Sequence, residues 1–178
     1  MNGLACFYDL LAHSVFSDQR EPGQSHSTDE TNENSQIIHQ LCFNMHPVYF
    51  TTRFRTTEPN INWPDAFAII TAFQTTGEEW PEAQNQEADT RLLAVIHETG
   101  RWHRRLTGFS PDTGHAEPGW AVEISFDEAC LIGEKFLQDA IFFVECDTLF
   151  VSHCMAEHRM KIYVGSFIER IYPTFPPA

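Results

Sequence analysis

Apolar and polar positions divide the chain into a featureless polar stretch and a patterned remainder. Residues 17–36, SDQREPGQSHSTDETNENSQ, contain no large apolar side chain. Such a stretch buries too little surface to offset the entropy of ordering it, which predicts a disordered acidic linker. Ahead of it, in residues 1–16, Leu4, Phe7, Tyr8, Leu11 and Val15 recur at helical spacing. They predict a short amphipathic segment, more naturally docked on the main domain than on a partner. From residue 37 to residue 178 short apolar runs alternate with turns, as in one α+β domain.

Within that domain, residues 48–55 alternate with period two and read as a strand, and residues 66–73 (AFAIITAF) are apolar enough to be a central one. A helix is expected to begin near Pro81 and end at Gly100, since proline suits the first helical turn and glycine the left-handed cap. A second begins at Ser125, where Ser125 and Glu128 spell a capping box and Ala129, Ile132 and Phe136 form the buried stripe. Between the helices, residues 102–109 and 119–124 read as strands flanking a turn-rich loop. After the second helix, residues 140–146 and 149–153 read as a hairpin turning at Asp147 and Thr148, with a further strand at 160–167. The order β-β-α-β-β-α-β-β, with short connections between paired strands, favours α+β over a doubly wound sheet. The expected architecture is an antiparallel or mixed sheet of about five to seven strands with two main helices on one face.

Composition narrows the partners. The 178 residues carry 25 Asp plus Glu against 11 Lys plus Arg, a formal charge of −14. Long-range attraction then has the wrong sign for a phosphate backbone or an anionic membrane, so neither a nucleic acid nor a membrane partner is expected. The five cysteines are unpaired in spacing, as in a reducing compartment. The apolar run near the amino terminus has no basic lead and contains Asp9. That pattern does not make a secretion signal, and a cytoplasmic location is expected.

Four pieces stand together in order: AFAIITAF, then Asn85 in the first helix, then GFSPDTGHAEPGW, then FLQDAIFFV with Gln138. In this arrangement residues 48–151 resemble the bacterial domain-of-unknown-function family 3293, most strongly at His115, Glu117, Pro118 and Trp120. The resemblance implies a bacterial, cytoplasmic, single-domain protein and carries no activity with it. The chain departs from the family pattern in three places. Gln74 and Thr75 stand where Asn-Pro is usual, Trp80 stands near the place of a capping Ser, and Leu137 occupies a position that is typically Gly.

Candidate chemistry concentrates in a few side chains. Asn85 and Asp89 share the helical stripe of Leu92 and Ile96, so they either line a pocket or satisfy neighbouring backbone groups. His115 and Glu117 could act as base and acid if they face one cavity, or else set the turn into the following strand. Their H-x-E spelling lacks the downstream P-C-x-x-C of the zinc deaminases, which removes that class. Arg101, His103, Arg104 and Arg105 form the dense basic run, best used in pairing the chain's own carboxylates. Cys146, His153, Cys154 and His158 lack the spacing of a metal site, so no metal and no cofactor is expected.

The reading that follows is a non-catalytic binding or regulatory module for a protein or a small polar ligand. Its expected ligand-binding patch is Asn85, His115, Glu117 and Gln138. The alternative is a small hydrolase or transferase with His115 as base and Glu117 or Asp89 orienting it.

Overall fold

The structure is a computed structural model that describes residues 45–58, 61–74 and 78–173. The expected amino-terminal segment, the acidic linker and the start of the domain at residue 37 lie outside the described residues. Elements follow in the order α1 (Val48–Thr51), β1 (Arg53–Thr56), β2 (Ala66–Thr71), α2 (Glu82–Thr99), β3 (His103–Phe109), β4 (Ala116–Val122), α3 (Phe126–Lys135), β5 (Ala140–Glu145), β6 (Thr148–His153), β7 (Ile162–Ser166) and β8 (Ile171–Pro173). The described residues are mixed α+β, with a sheet of eight strands among them in the order β7-β6-β5-β2-β4-β3-β1-β8. Neighbours are antiparallel except β1 and β8, which run parallel.

The local signals explain most of these elements. Ser125 accepts from the Glu128 amide at 3.3 Å while the Glu128 carboxylate accepts from the Ser125 amide at 3.0 Å, a complete capping box that starts α3. Gly100 closes α2 with φ 63°. In β2, Ala68 and Ile70 face the helices while Phe67 and Ile69 face the other way, so the strand is buried on both sides. The stripe of α3 is shifted from expectation: Ala129, Cys130 and Gly133 are its buried residues, and Ile132 and Phe136 pack at its margin. A Cβ on Gly133 would lie 2.5 Å from Cys154 Sγ, so the helix rests directly on the sheet.

Three expectations are corrected. The strand predicted over 48–55 is a single helical turn, α1, followed by β1, because Thr52 turns its hydroxyl back to the Val48 carbonyl at 2.9 Å and ends the turn. Strand β4 starts at Ala116 rather than Gly119, which puts Glu117 and Pro118 in the ladder opposite Gly108 and Thr107. The sheet has eight strands rather than five to seven; β8 is only three residues long and pairs with a strand more than a hundred positions earlier.

That last pairing shapes the molecule. Strands β7 and β8 are the two edges of the sheet, yet Ser166 and Ile171 are separated by one 3-10 turn. A flat sheet of this many strands would hold its edges roughly 33 Å apart, whereas the connection reaches at most about 18 Å. The sheet therefore curls. Arg170 ties β7 to the segment leading into β1 by donating to the carbonyls of Val164, Phe50 and Thr52 at 3.0–3.1 Å. Asp147 anchors the same connection, accepting from the Ile168 amide at 2.8 Å and the Ser166 hydroxyl at 2.7 Å.

Two cores result. Helices α2 and α3 cover the outer face, where Leu92, Ile96 and Ala129 meet Ile70, Val122 and Phe143. The inner face closes on itself around Phe54, Leu106, Phe142 and Phe167. One end of this interior is filled by aromatic rings, Trp63, Phe67, Trp102 and Phe167, with centroids 5.0–6.1 Å apart. No helix among the described residues is long and apolar enough to cross a membrane.

Candidate functional site

The other end of the interior is open. A pocket of about 370 Å³ enters there, floored by Phe54, Ile69, Leu106 and Phe142 and edged by Thr71, His115, Glu117 and Gln138. Strand pairing produces the opening. The β2–β4 ladder ends at Thr71 and Gly119, and the residues of β4 before Gly119 pair with β3 alone. Pro118 lies in that unshared stretch, where a missing amide donor is tolerated. Gly119 must lack a side chain, because a Cβ there would sit 2.7 Å from the Ile70 carbonyl oxygen.

Gln138 is placed by the way α3 stops. The Gln138 amide donates to the Gly133 carbonyl at 2.9 Å and the Leu137 amide to the Glu134 carbonyl at 3.0 Å, a Schellman motif with Leu137 at φ 57°. Glycine adopts this left-handed conformation without strain, whereas Leu137 holds it at a cost. The Gln138 side chain then donates to the carbonyls of Phe73 at 2.9 Å and Phe136 at 3.0 Å, and its Oε1 accepts from the Thr71 hydroxyl at 2.7 Å. Both amide hydrogens are engaged, so its orientation is set.

His115 and Glu117 complete the row. His115 is held by the β3–β4 turn, in which Ser110 donates from its amide to the His115 carbonyl at 2.9 Å and Gly114 adopts φ 74°. Its Nε2 lies 2.8 Å from Glu117 Oε1, and the Thr71 hydroxyl lies 3.5 Å from Glu117 Oε2. The side chains of His115 and Glu117 are 52% and 33% exposed, so the pair stands at the rim. In such a position it contributes about 0–1 kcal/mol to stability.

Asn85 and Asp89 are not part of this row. Both belong to α2 on the outer face, with the sheet between them and the pocket, which corrects the expectation that they converge with His115. Asp89 is engaged by Arg105 Nη1 at 2.7 and 2.9 Å and by Trp120 Nε1 at 3.0 Å. Asn85 is buried, and its Oδ1 has no hydrogen-bond partner among the described residues. Arg104 pairs with Glu58 at 3.0 Å, so two members of the basic run meet carboxylates of the chain itself.

The cysteine and histidine group lies elsewhere. Cys130 and Cys154 are buried, and burial pushes the Cys154 thiol up to about 12. Burial, with His158 nearby, holds the His153 imidazole below its ordinary range. Among the described residues no three His, Cys, Asp or Glu side chains are grouped to hold a metal ion.

Thr71, Gly108 and Phe142 belong to the pocket without having been singled out from the sequence. The period-two alternation of AFAIIT places Thr71 on the inner face, and that signal was legible. Nothing local reveals that the inner face encloses a cavity.

The sequence model of the family described as "Protein of unknown function (DUF3293)" matches residues 70–141. That stretch includes Thr71, His115, Glu117 and Gln138, and also Asn85 and Asp89. No curated protein and no solved structure shows significant similarity to the chain.

Proposed function

We propose that the domain is a non-catalytic binding module for a small molecule with an apolar body and a polar head. The observation that carries this reading is the inner-face pocket with Thr71, Gln138, Glu117 and His115 joined in one row at its mouth. Its volume of about 370 Å³ lies within the range of small-ligand sites, and apolar walls with a few oriented polar groups are their usual composition. The hydrolase or transferase alternative is less well supported. The hydroxyl within this row, that of Thr71, makes its short bond, 2.7 Å, to the Gln138 carbonyl oxygen and only a 3.5 Å contact with the Glu117 carboxylate. The row is built to hold a ligand more than to activate a nucleophile.

Ligand-observed NMR with a fragment library tests the reading, with Gly108→Leu as the blocked control. Gly108 lines the pocket, and a Cβ there meets only Thr52 Cγ2 at 3.8 Å and Phe54 Cε1 at 3.9 Å, so added bulk fills the cavity without displacing backbone. Fragments should bind the wild type and lose binding in Gly108→Leu, whose melting temperature should not fall. Binding that survives in the variant, or no binding to the wild type, overturns the proposal.

A further inference from the structure

Resting on that reading of the pocket, we infer that the head group it selects is a protonated amine. The hydrogen-bonding balance of the row carries the argument. Gln138 has both amide hydrogens engaged by Phe73 and Phe136, and Thr71 has its hydroxyl hydrogen directed to Gln138. What these two side chains still offer a ligand is oxygen lone pairs. Glu117, beside them, is acceptor-only when ionised. Three acceptors from β2, β4 and the end of α3 therefore converge, within 2.7–3.5 Å of one another along the row. An alkylammonium carries three N–H donors and no acceptor, the matching complement.

Charge points the same way. Among the described residues lining the pocket, Glu117 is the acidic side chain, and there is no lysine or arginine. Arg105, the nearby guanidinium of β3, lies on the outer face and is engaged by Asp89. A carboxylate or phosphate head would stand against Glu117 with only the imidazoles of His115 and His46 in the lining to offset it. A cation gains from Glu117 in a partly desolvated site, where the interaction is stronger than in water. The chain's charge of −14 also raises the local concentration of cations. Aromatic walls tolerate an ammonium, and Tyr49, Phe54 and Phe142 stand edge-to-face there with centroids 5.3–5.9 Å apart.

Benzylamine, benzyl alcohol and benzoate share one apolar body and differ in the head, so titrating each by calorimetry isolates the head-group preference. Benzylamine should bind wild type about tenfold more tightly than benzyl alcohol, with benzoate weakest. In Glu117→Gln, benzylamine should fall to within about twofold of benzyl alcohol while benzyl alcohol is unchanged, a conservative variant whose folding a thermal melt verifies. All three should lose binding in Gly108→Leu. Equal affinities for amine and alcohol, or tighter binding of benzoate, overturn the amine inference while Gly108→Leu sensitivity leaves the pocket reading standing. If Gly108→Leu binds the probes as the wild type does, or if no probe binds the wild type, both fall together.

Discussion

The two faces of one sheet use similar polar side chains to opposite ends. On the outer face, Asp89, Arg105 and Trp120 are covered by α2 and satisfy one another, with the Arg105 guanidinium 4.7 Å above the Trp120 ring. On the inner face, Thr71, Gln138, Glu117 and His115 also bond to one another, but they border a cavity and keep acceptor capacity facing it. What separates structure from site is how each face is closed. Helices laid on a sheet fill the space above it with side chains, whereas a sheet curled on itself fills only as much as its inward residues reach. Here the aromatic rings fill one end and leave the other open.

The sharpest way to break this contrast is to release the curl. Arg170→Ala removes the three bonds that tie β7 to the segment leading into β1 and leaves the carbonyls of Phe50, Thr52 and Val164 without that donor. We expect a loss of about 2–4 kcal/mol in urea unfolding, together with weakened probe binding in the pocket. A variant that kept full pocket affinity would show that the inner face does not depend on the edge tie.

Asp89→Ala tests the outer face alone. Arg105 and the Trp120 indole lose their shared acceptor at a site that is 24% exposed on the Asp89 side. The expected cost is about 1–2 kcal/mol, moderated by solvent, with pocket binding unchanged. A change in probe affinity would mean that the two faces are coupled through β4, which carries both Trp120 and Glu117.

The smallest effect sharpens the link between helix end and pocket. Leu137 holds φ 57° and is largely exposed, so Leu137→Gly should relieve left-handed strain and raise stability by about 1 kcal/mol in a thermal melt. Because Gln138 keeps its own bonds, probe affinity should stay within about twofold of wild type. A stability decrease would show that the exposed leucine contributes packing that outweighs its backbone strain.

Much of this was legible before any coordinates. The Ser125–Glu128 box, the Gly100 stop and the alternation of AFAIIT depend on neighbours a few positions apart, so local physics settles them. His115, Glu117 and Gln138 could also be picked out, since polar residues at loop and element ends are where the chain meets its surroundings. The grouping of Asn85 and Asp89 with them was wrong for a definite reason. A helical stripe says which side of a helix is buried, but not which face of the sheet it is buried against. Likewise the run 48–55 alternates as a strand would, and only the side-chain bond of Thr52 to Val48 and the pairing of β1 with β3 and β8 decide where helix ends and strand begins.

By itself, then, the chain order of polar and apolar residues determined most element types, the stop at Gly100, the start at Ser125 and the alternation of side chains along the central strands, because those follow from neighbours and from periods of two and 3.6 residues. The eight-strand count, the curl and the pocket were decided by tertiary structure. They rest on β8 reaching back to β1 and on Arg170 reaching the carbonyls of Phe50 and Thr52, contacts between residues more than a hundred positions apart. Contacts of that range leave no periodic trace in the sequence, since their energy depends on where the whole sheet has already brought their partners.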